Sequence, residues 1–134
     1  ADAGEVARAV VLAMTDPANP WGAALPWPRR DDADRRPLPR AAGASVVLVD
    51  GSPALVLERG GRSLVTLPAT DDADTLRVAL DALVADVALG RRTALEIQRV
   101  DGAPTASSPI AEQLGAVGFR SSYRGFVLRS TSAR

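Results

Sequence analysis

The clearest periodicity in the chain lies at 73–89, where Leu76, Leu80, Leu83, Val84 and Val87 recur at i, i+4, i+7, i+8 and i+11. That spacing lays one apolar stripe along a helix. Asp71 stands where an N-cap belongs, Asp72 and Asp74 suit the positive end, and Gly90 stops the helix. Before it, residues 44–67 break into three short apolar runs, 44–49, 54–58 and 63–67, separated by Asp50-Gly51 and Gly60-Gly61. Those dipeptides supply the positive φ angles of tight hairpins, so a three-stranded antiparallel meander is predicted. Val46 to Val49 is apolar on both faces, which predicts a strand covered on both sides.

The flanks follow the same logic. Asp2 and Glu5 sit three apart, and Val6, Val10 and Ala13 continue at i, i+4 and i+7, predicting a helix over 2–14. Residues 16–40 hold six of the ten prolines. They can be neither helix nor good strand. Trp21, Leu25 and Trp27 lie in this stretch, so it reads as an extended strap with both tryptophans mostly buried. Residues 29–36 are charged and read as an exposed loop. Leu95, Ile97 and Arg99 alternate as a fourth strand closed by Asp101-Gly102. Ser108-Pro109 opens a third helix with the stripe Ile110, Leu114 and Val117, ended by Gly118. Residues 119–123 and 125–129 pair as two short strands. The sum is one α+β domain over 1–134: a small antiparallel, barrel-like meander packed with two to three helices. Residues 1–40 form a helix and a proline-rich strap, and 41–134 form the body.

Composition narrows the chemistry. The chain is 46% hydrophobic and 24% charged, as a folded domain of 134 residues should be. It contains no Cys, no His and no Lys, and every one of its 16 basic residues is Arg. Thiolate and imidazole ligands, a Cys nucleophile and a His base are therefore excluded. So is a phosphate-loop lysine, and no glycine-rich phosphate loop occurs, so the chain is expected to bind no nucleotide and no cofactor. The arginine bias fits either a GC-rich genome or bidentate phosphate contacts. Asp31/Asp32 and Asp71/Asp72 read as a solvated loop and a helix start. Ser107, Ser108 and Ser121 read as caps and turns. No apolar run approaches a membrane span and no basic leader is evident, so a cytoplasmic chain is expected.

The charge is uneven. Residues 41–90 carry three Arg against seven acids, whereas 91–134 carry seven Arg against three. An anionic polymer would therefore meet the last third. There the run from Ser108 to Arg129 reads as the last helix and wing of a winged-helix unit. Arg120, Arg124 and Arg129, with Tyr123, form the candidate nucleic-acid contact, joined by Arg91 and Arg92. Phe126 and Leu128 should face the core on alternation, which leaves Tyr123 as the stacking group. The plainer alternative is a terminal hairpin with solvated arginines.

Residues 10–28 read Val-Val-Leu-Ala-Met-Thr-Asp-Pro-Ala-Asn-Pro-Trp-Gly-Ala-Ala-Leu-Pro-Trp-Pro. Followed by Gly43 to Gly51, Leu57 to Arg62 and Ser108 to Gly125, this order resembles the C-terminal region of Lhr-type large helicase-related proteins. The resemblance implies a fragment of a much larger ATP-dependent superfamily 2 DNA helicase, moving 3′ to 5′ and linked to DNA repair. The motor, with its ATP and Mg²⁺, would lie upstream. It also implies a β-rich module like that of AlkZ-type DNA glycosylases, but no glycosylase motif matches here, so no catalytic residue is carried over. Expected partners are upstream domains of the same chain, single-stranded DNA or a DNA–RNA hybrid bound weakly, and further copies of the chain, but no membrane. The readings that remain are a non-catalytic accessory domain, part of a glycosylase unit, and an unrelated interaction domain.

Overall fold

A computed structural model describes residues 8–23, 25–28, 43–58, 60–89, 94–123 and 125–129. Its first element corrects the sequence reading. Residues Ala9–Ala13 form a strand, β1, not the end of a helix. It lies antiparallel on β2 (Ser45–Val49) in unbroken register from Ala9↔Val49 to Ala13↔Ser45. In a strand, Val10 and Leu12 fall on one face and Ala9 and Val11 on the other. Both faces are useful, because β2 has an apolar layer on each side. Tertiary pairing thus overrides an alanine-rich run whose spacing suited a helix. The rest of the expected helix, residues 2–7, lies outside the described residues.

The meander follows as predicted. Strands β2, β3 (Ser52–Leu57) and β4 (Ser63–Thr66) pair antiparallel. Asp50 and Gly51 turn the first hairpin at φ 50° and 85°. β3 starts two residues earlier than expected, before Pro53. A bulge makes room: Val47 pairs with Leu55 but Leu48 pairs with Pro53, leaving Ala54 as the extra residue. β6 (Arg99–Val100) then adds parallel to β4, and β7 (Ala103–Pro104) closes the row. The order is β1-β2-β3-β4-β6-β7, an open sheet, so no barrel closes among the described residues. The predicted fourth strand is split. β5 (Ala94–Ile97) joins a second sheet, ordered β5-β9-β8, with β8 (Arg120–Ser121) and β9 (Phe126–Arg129).

Two helices complete the α+β fold. α1 spans Ala73–Ala88, and its cap is Asp72 rather than Asp71, which ends a preceding 3-10 turn. The Asp72 carboxylate accepts from Thr75 N at 3.0 Å and from Thr75 Oγ1 at 2.9 Å. Leu76, Ala79, Leu80, Leu83 and Val87 are buried along one face. Burying one such leucine stabilises by about 1.5–3 kcal/mol, so packing rather than propensity holds the helix. That face meets Val47, Val49, Leu55 and Leu57 of the large sheet and Leu95 and Ile97 of the small one.

The opposite face of the large sheet carries Val46, Leu48 and Val56, packed with Met14, Leu67, Trp21 and Trp27. β2 is therefore buried on both sides, and the proline segment is its second cover. The strap is a hydrogen-bonded clasp. Asp16 accepts from Ala18 N at 2.8 Å, and its carbonyl accepts from Asn19 N. Asn19, 1% exposed, donates to the Met14 carbonyl and accepts from Trp21 N. The Trp27 indole covers Gly22 so closely that a Cβ there would stand 2.5 Å from Nε1. Both tryptophans end with most of their surface covered, as expected, packed on the second core layer.

Candidate nucleic-acid interface

The interface predicted from charge is built on a helix and a hairpin. Ser108 does not cap a helix directly. Its hydroxyl accepts from Ile110 N and its carbonyl from Ala111 N, and α2 runs over Ala111–Ala116. Leu114 is its buried anchor, with Ile110 and Val117 packed beside it on the main core. Six residues rise about 9 Å, too short to fill a major groove as a recognition helix does. The hairpin is the larger feature.

Gly118 reverses the chain and Phe119, 4% exposed, plugs the core. β8 then pairs with β9 through Arg120↔Val127 and Ser121↔Phe126, and β9 pairs with β5 through Val127↔Glu96 and Phe126↔Ile97. Residues opposite one another share a face. Arg120, Val127 and Glu96 therefore form one outer row, while Phe126 and Leu128 pack on the core as alternation predicts. Arg120 is exposed and stands on the edge strand, with the half-buried Glu96 two strands away.

A tight turn joins the strands. Ser122 N donates to the Gly125 carbonyl at 2.6 Å, and the Ser122 hydroxyl donates to it at 3.0 Å. Tyr123 stands at the tip and is 92% exposed. The turn is held down at its far side. Gly125 crosses β5 so closely that a Cβ would lie 2.2 Å from the Ile97 carbonyl oxygen. Ile97 O also accepts from the buried Thr105 hydroxyl at 2.7 Å. The hairpin root is thus fixed while its tip projects.

Of the candidate residues, the structure brings Arg120 and Tyr123 to one hairpin. Arg124, Arg91 and Arg92 lie outside the described residues. Arg129 has its backbone in β9 opposite Ala94, and its side chain lies outside the described residues. One group escaped the sequence reading. Asp86 is 6% exposed on the buried side of α1. It lines an open groove of about 520 Å³ with Ser45, Gly43 and the β1 residues Val11 to Ala13. Its position, three after Leu83 and one before Val87, places it at the edge of the apolar stripe, which was the available signal. Among the described residues no three acidic side chains gather to hold a metal ion, and no helix is long and apolar enough to cross a membrane.

These features define a small α+β domain with an aromatic-tipped basic hairpin. No family model matches the chain. It is 53% identical over 95 residues to the Lhr helicase/probable uracil glycosylase of Mycolicibacterium smegmatis, covering 71% of this chain and 6% of that protein. It is 33% identical over 116 residues to the Lhr helicase/uracil glycosylase of Escherichia coli, covering 87% of this chain and 7% of that protein. The chain is Lhr-related and corresponds to a small part of the length of these relatives.

Proposed function

We propose that the chain is a non-catalytic accessory domain of an Lhr-type, ATP-dependent DNA helicase acting in DNA repair. In this reading it helps the parent protein hold nucleic acid and assemble. The motor, with ATP and Mg²⁺, belongs to the rest of a cytoplasmic polypeptide. The observation that carries the reading is the pinned hairpin, which offers Tyr123 at its tip and Arg120 on its open edge. An exposed cation and an exposed ring on one hairpin suit single-stranded DNA or a DNA–RNA hybrid. The guanidinium neutralises a phosphate and the ring stacks on a base, with no sequence requirement. The short α2 and the neighbouring Glu96 favour weak contact over duplex reading. The test is to replace Arg120, Arg124 and Arg129 by Gln in the full-length protein and titrate single-stranded DNA at low salt. Weakened binding is expected. Unchanged affinity would make these arginines a solvated rim and leave assembly as the role.

Both relatives carry uracil glycosylase in their names. That supports a second reading, in which the domain forms part of a glycosylase unit. Such chemistry needs an acid or base within a base-sized pocket, and among the described residues Asp86, beside an open groove, is the buried acid. Uracil release by the full-length protein with Asp86→Asn tests whether this acid takes part. Full release removes Asp86 from the chemistry.

A further inference from the structure

The chain holds five aromatic residues, all of them in described segments, and four are covered. Phe119 plugs the main core and Phe126 packs on it, while Trp21 and Trp27 pack on the second layer. Tyr123 is the exception, 92% exposed on the hairpin turn. That turn is stiff. Ser122 and Gly125 close it with backbone hydrogen bonds in both directions, at 2.6 and 3.3 Å. Gly125 rests against the Ile97 carbonyl, which the buried Thr105 hydroxyl holds in place. Tyrosine adds only two rotatable angles of its own, so ordering the ring against a ligand costs little entropy.

A single exposed ring limits what can stack on it. Surfaces that carry single strands along their length offer several rings, on which successive bases stack. This surface offers one, so a run of bases finds no second platform. A lone ring needs a base with one face open and the other supported. The terminal pair of a duplex meets that condition, because its inner face is stacked and its outer face is bare. Arg120 stands three residues from Tyr123, at most about 11 Å along the backbone. That is roughly three nucleotide rises, so the guanidinium reaches a phosphate of a strand that continues past the terminal pair. Glu96 lies in the same row as Arg120, and its carboxyl disfavours a second phosphate chain alongside. The surface therefore suits one departing strand.

We propose that Tyr123 caps the last base pair where double strand gives way to single strand, and that Arg120 takes a phosphate of the strand leaving it. The duplex is met at its end and is not read through a groove. This inference rests on the reading of the hairpin as a nucleic-acid contact and names the partner of that same surface.

The experiment compares two labelled ligands on the full-length protein: a single strand, and the same strand annealed to a shorter complement so that a junction forms. Anisotropy gives the ratio of the two affinities. The parent protein should favour the junction about fivefold or more, the effect of one added stacked base. Tyr123→Ala should remove that preference and Tyr123→Phe should keep it. Arg120→Gln should weaken both ligands and leave the ratio unchanged. Tyr123 is exposed, so its replacement leaves the core intact. A 5-iodouracil in the terminal pair should crosslink to the peptide holding Tyr123, and one placed inside the duplex or far along the tail should not. A ratio that Tyr123→Ala leaves unchanged overturns the proposal even where both ligands bind more weakly, and so do crosslinks of equal yield at every position. In either case the contact with nucleic acid stands without the junction. Binding of both ligands unaltered in both variants removes the contact itself, so the two ideas fall separately.

Discussion

Thr66 and Asp101, 35 positions apart, are joined by two hydrogen bonds to one carboxylate: Thr66 N to Oδ1 at 2.8 Å and Thr66 Oγ1 to Oδ2 at 2.6 Å. Asp101 N in turn donates to the Leu64 carbonyl. This clamp closes the junction of β4 and β6, where only two residue pairs form the parallel ladder. Asp101→Ala should therefore destabilise the domain by about 1–3 kcal/mol, the usual effect of losing bonds to a charged acceptor. Asp101→Asn should lose less. Asn tolerates the left-handed backbone found here at φ 53° and keeps one acceptor. Urea unfolding of the two variants gives the comparison, and equal losses would mean that the clamp needs both carboxylate oxygens and that tolerance of the left-handed backbone adds nothing.

Gly125 offers a sharper test of how the hairpin is held. A methyl group there would meet the Ile97 carbonyl oxygen at 2.2 Å, and backbone cannot yield as a side chain does. Gly125→Ala should undock β9 from β5, lowering stability by about 2 kcal/mol or more. Gly102 is the control. Its φ is 84° but nothing lies within 4 Å of an added Cβ, so Gly102→Ala should cost about 1–2 kcal/mol from backbone strain alone. Amide exchange separates them: the first should expose β8 and β9, and the second should leave them protected.

Asp72 predicts a pH effect. Hydrogen bonds from Thr75 N and Thr75 Oγ1 hold its carboxyl below the ordinary value of 3.8. A depressed folded-state pKa stabilises the fold above the unfolded value, and that contribution disappears as pH falls through the folded one. The gap in melting temperature between the parent protein and Asp72→Ala should therefore be widest above pH 5 and shrink below 3.8. Asp72→Asn, which keeps a cap but no charge, should narrow the gap at neutral pH. A gap independent of pH would assign the effect to helix propensity instead.

The parts of the fold legible in the sequence were those set by local rules. The Asp50-Gly51 turn and the Leu76–Leu80–Leu83–Val87 stripe each depend on residues close in sequence. Ala9 to Ala13 failed because its partner, Ser45 to Val49, lies more than thirty residues away, and no local spacing records that pairing. Leu95, Ile97 and Arg99 failed in part for the same reason. The break at Gln98, whose amide bonds to Arg62 O, sends the two halves to different sheets. At the hairpin, alternation placed Phe126 and Leu128 correctly, yet nothing nearby in sequence announced that Gly125 would rest on Ile97.

Asn19 explains why the strap motif reads as it does. It is a buried amide joining the Met14 carbonyl to Trp21 N across the second core cluster. Asn19→Leu keeps the volume but removes both partners, so about 2–3 kcal/mol of stability should be lost. Trp21 emission should shift to longer wavelength as its ring loosens from that cluster. Unchanged stability and emission would mean that the prolines alone shape the strap.

The last prediction concerns Tyr123 and Arg120, which should contribute to nucleic-acid binding in different ways. Arg120 lies on an exposed strand edge, so its contact with phosphate is screened by salt and releases counterions. Arg120→Gln in the full-length protein should weaken binding of all single strands alike and lower the slope of log K against log salt by about 1. Tyr123 offers a ring and not a cation, and its contribution is stacking, worth about 1–3 kcal/mol per base. Tyr123→Ala should therefore lower affinity roughly 5- to 150-fold with the salt slope unchanged, whereas Tyr123→Phe should keep most of the affinity. Phe126 packs on the core, so its replacement should act through stability and not through stacking. Fluorescence anisotropy with a labelled oligonucleotide, repeated at three salt concentrations, measures both quantities. If Tyr123→Ala binds as tightly as the parent protein, the hairpin tip does not touch nucleic acid, whatever the arginines do.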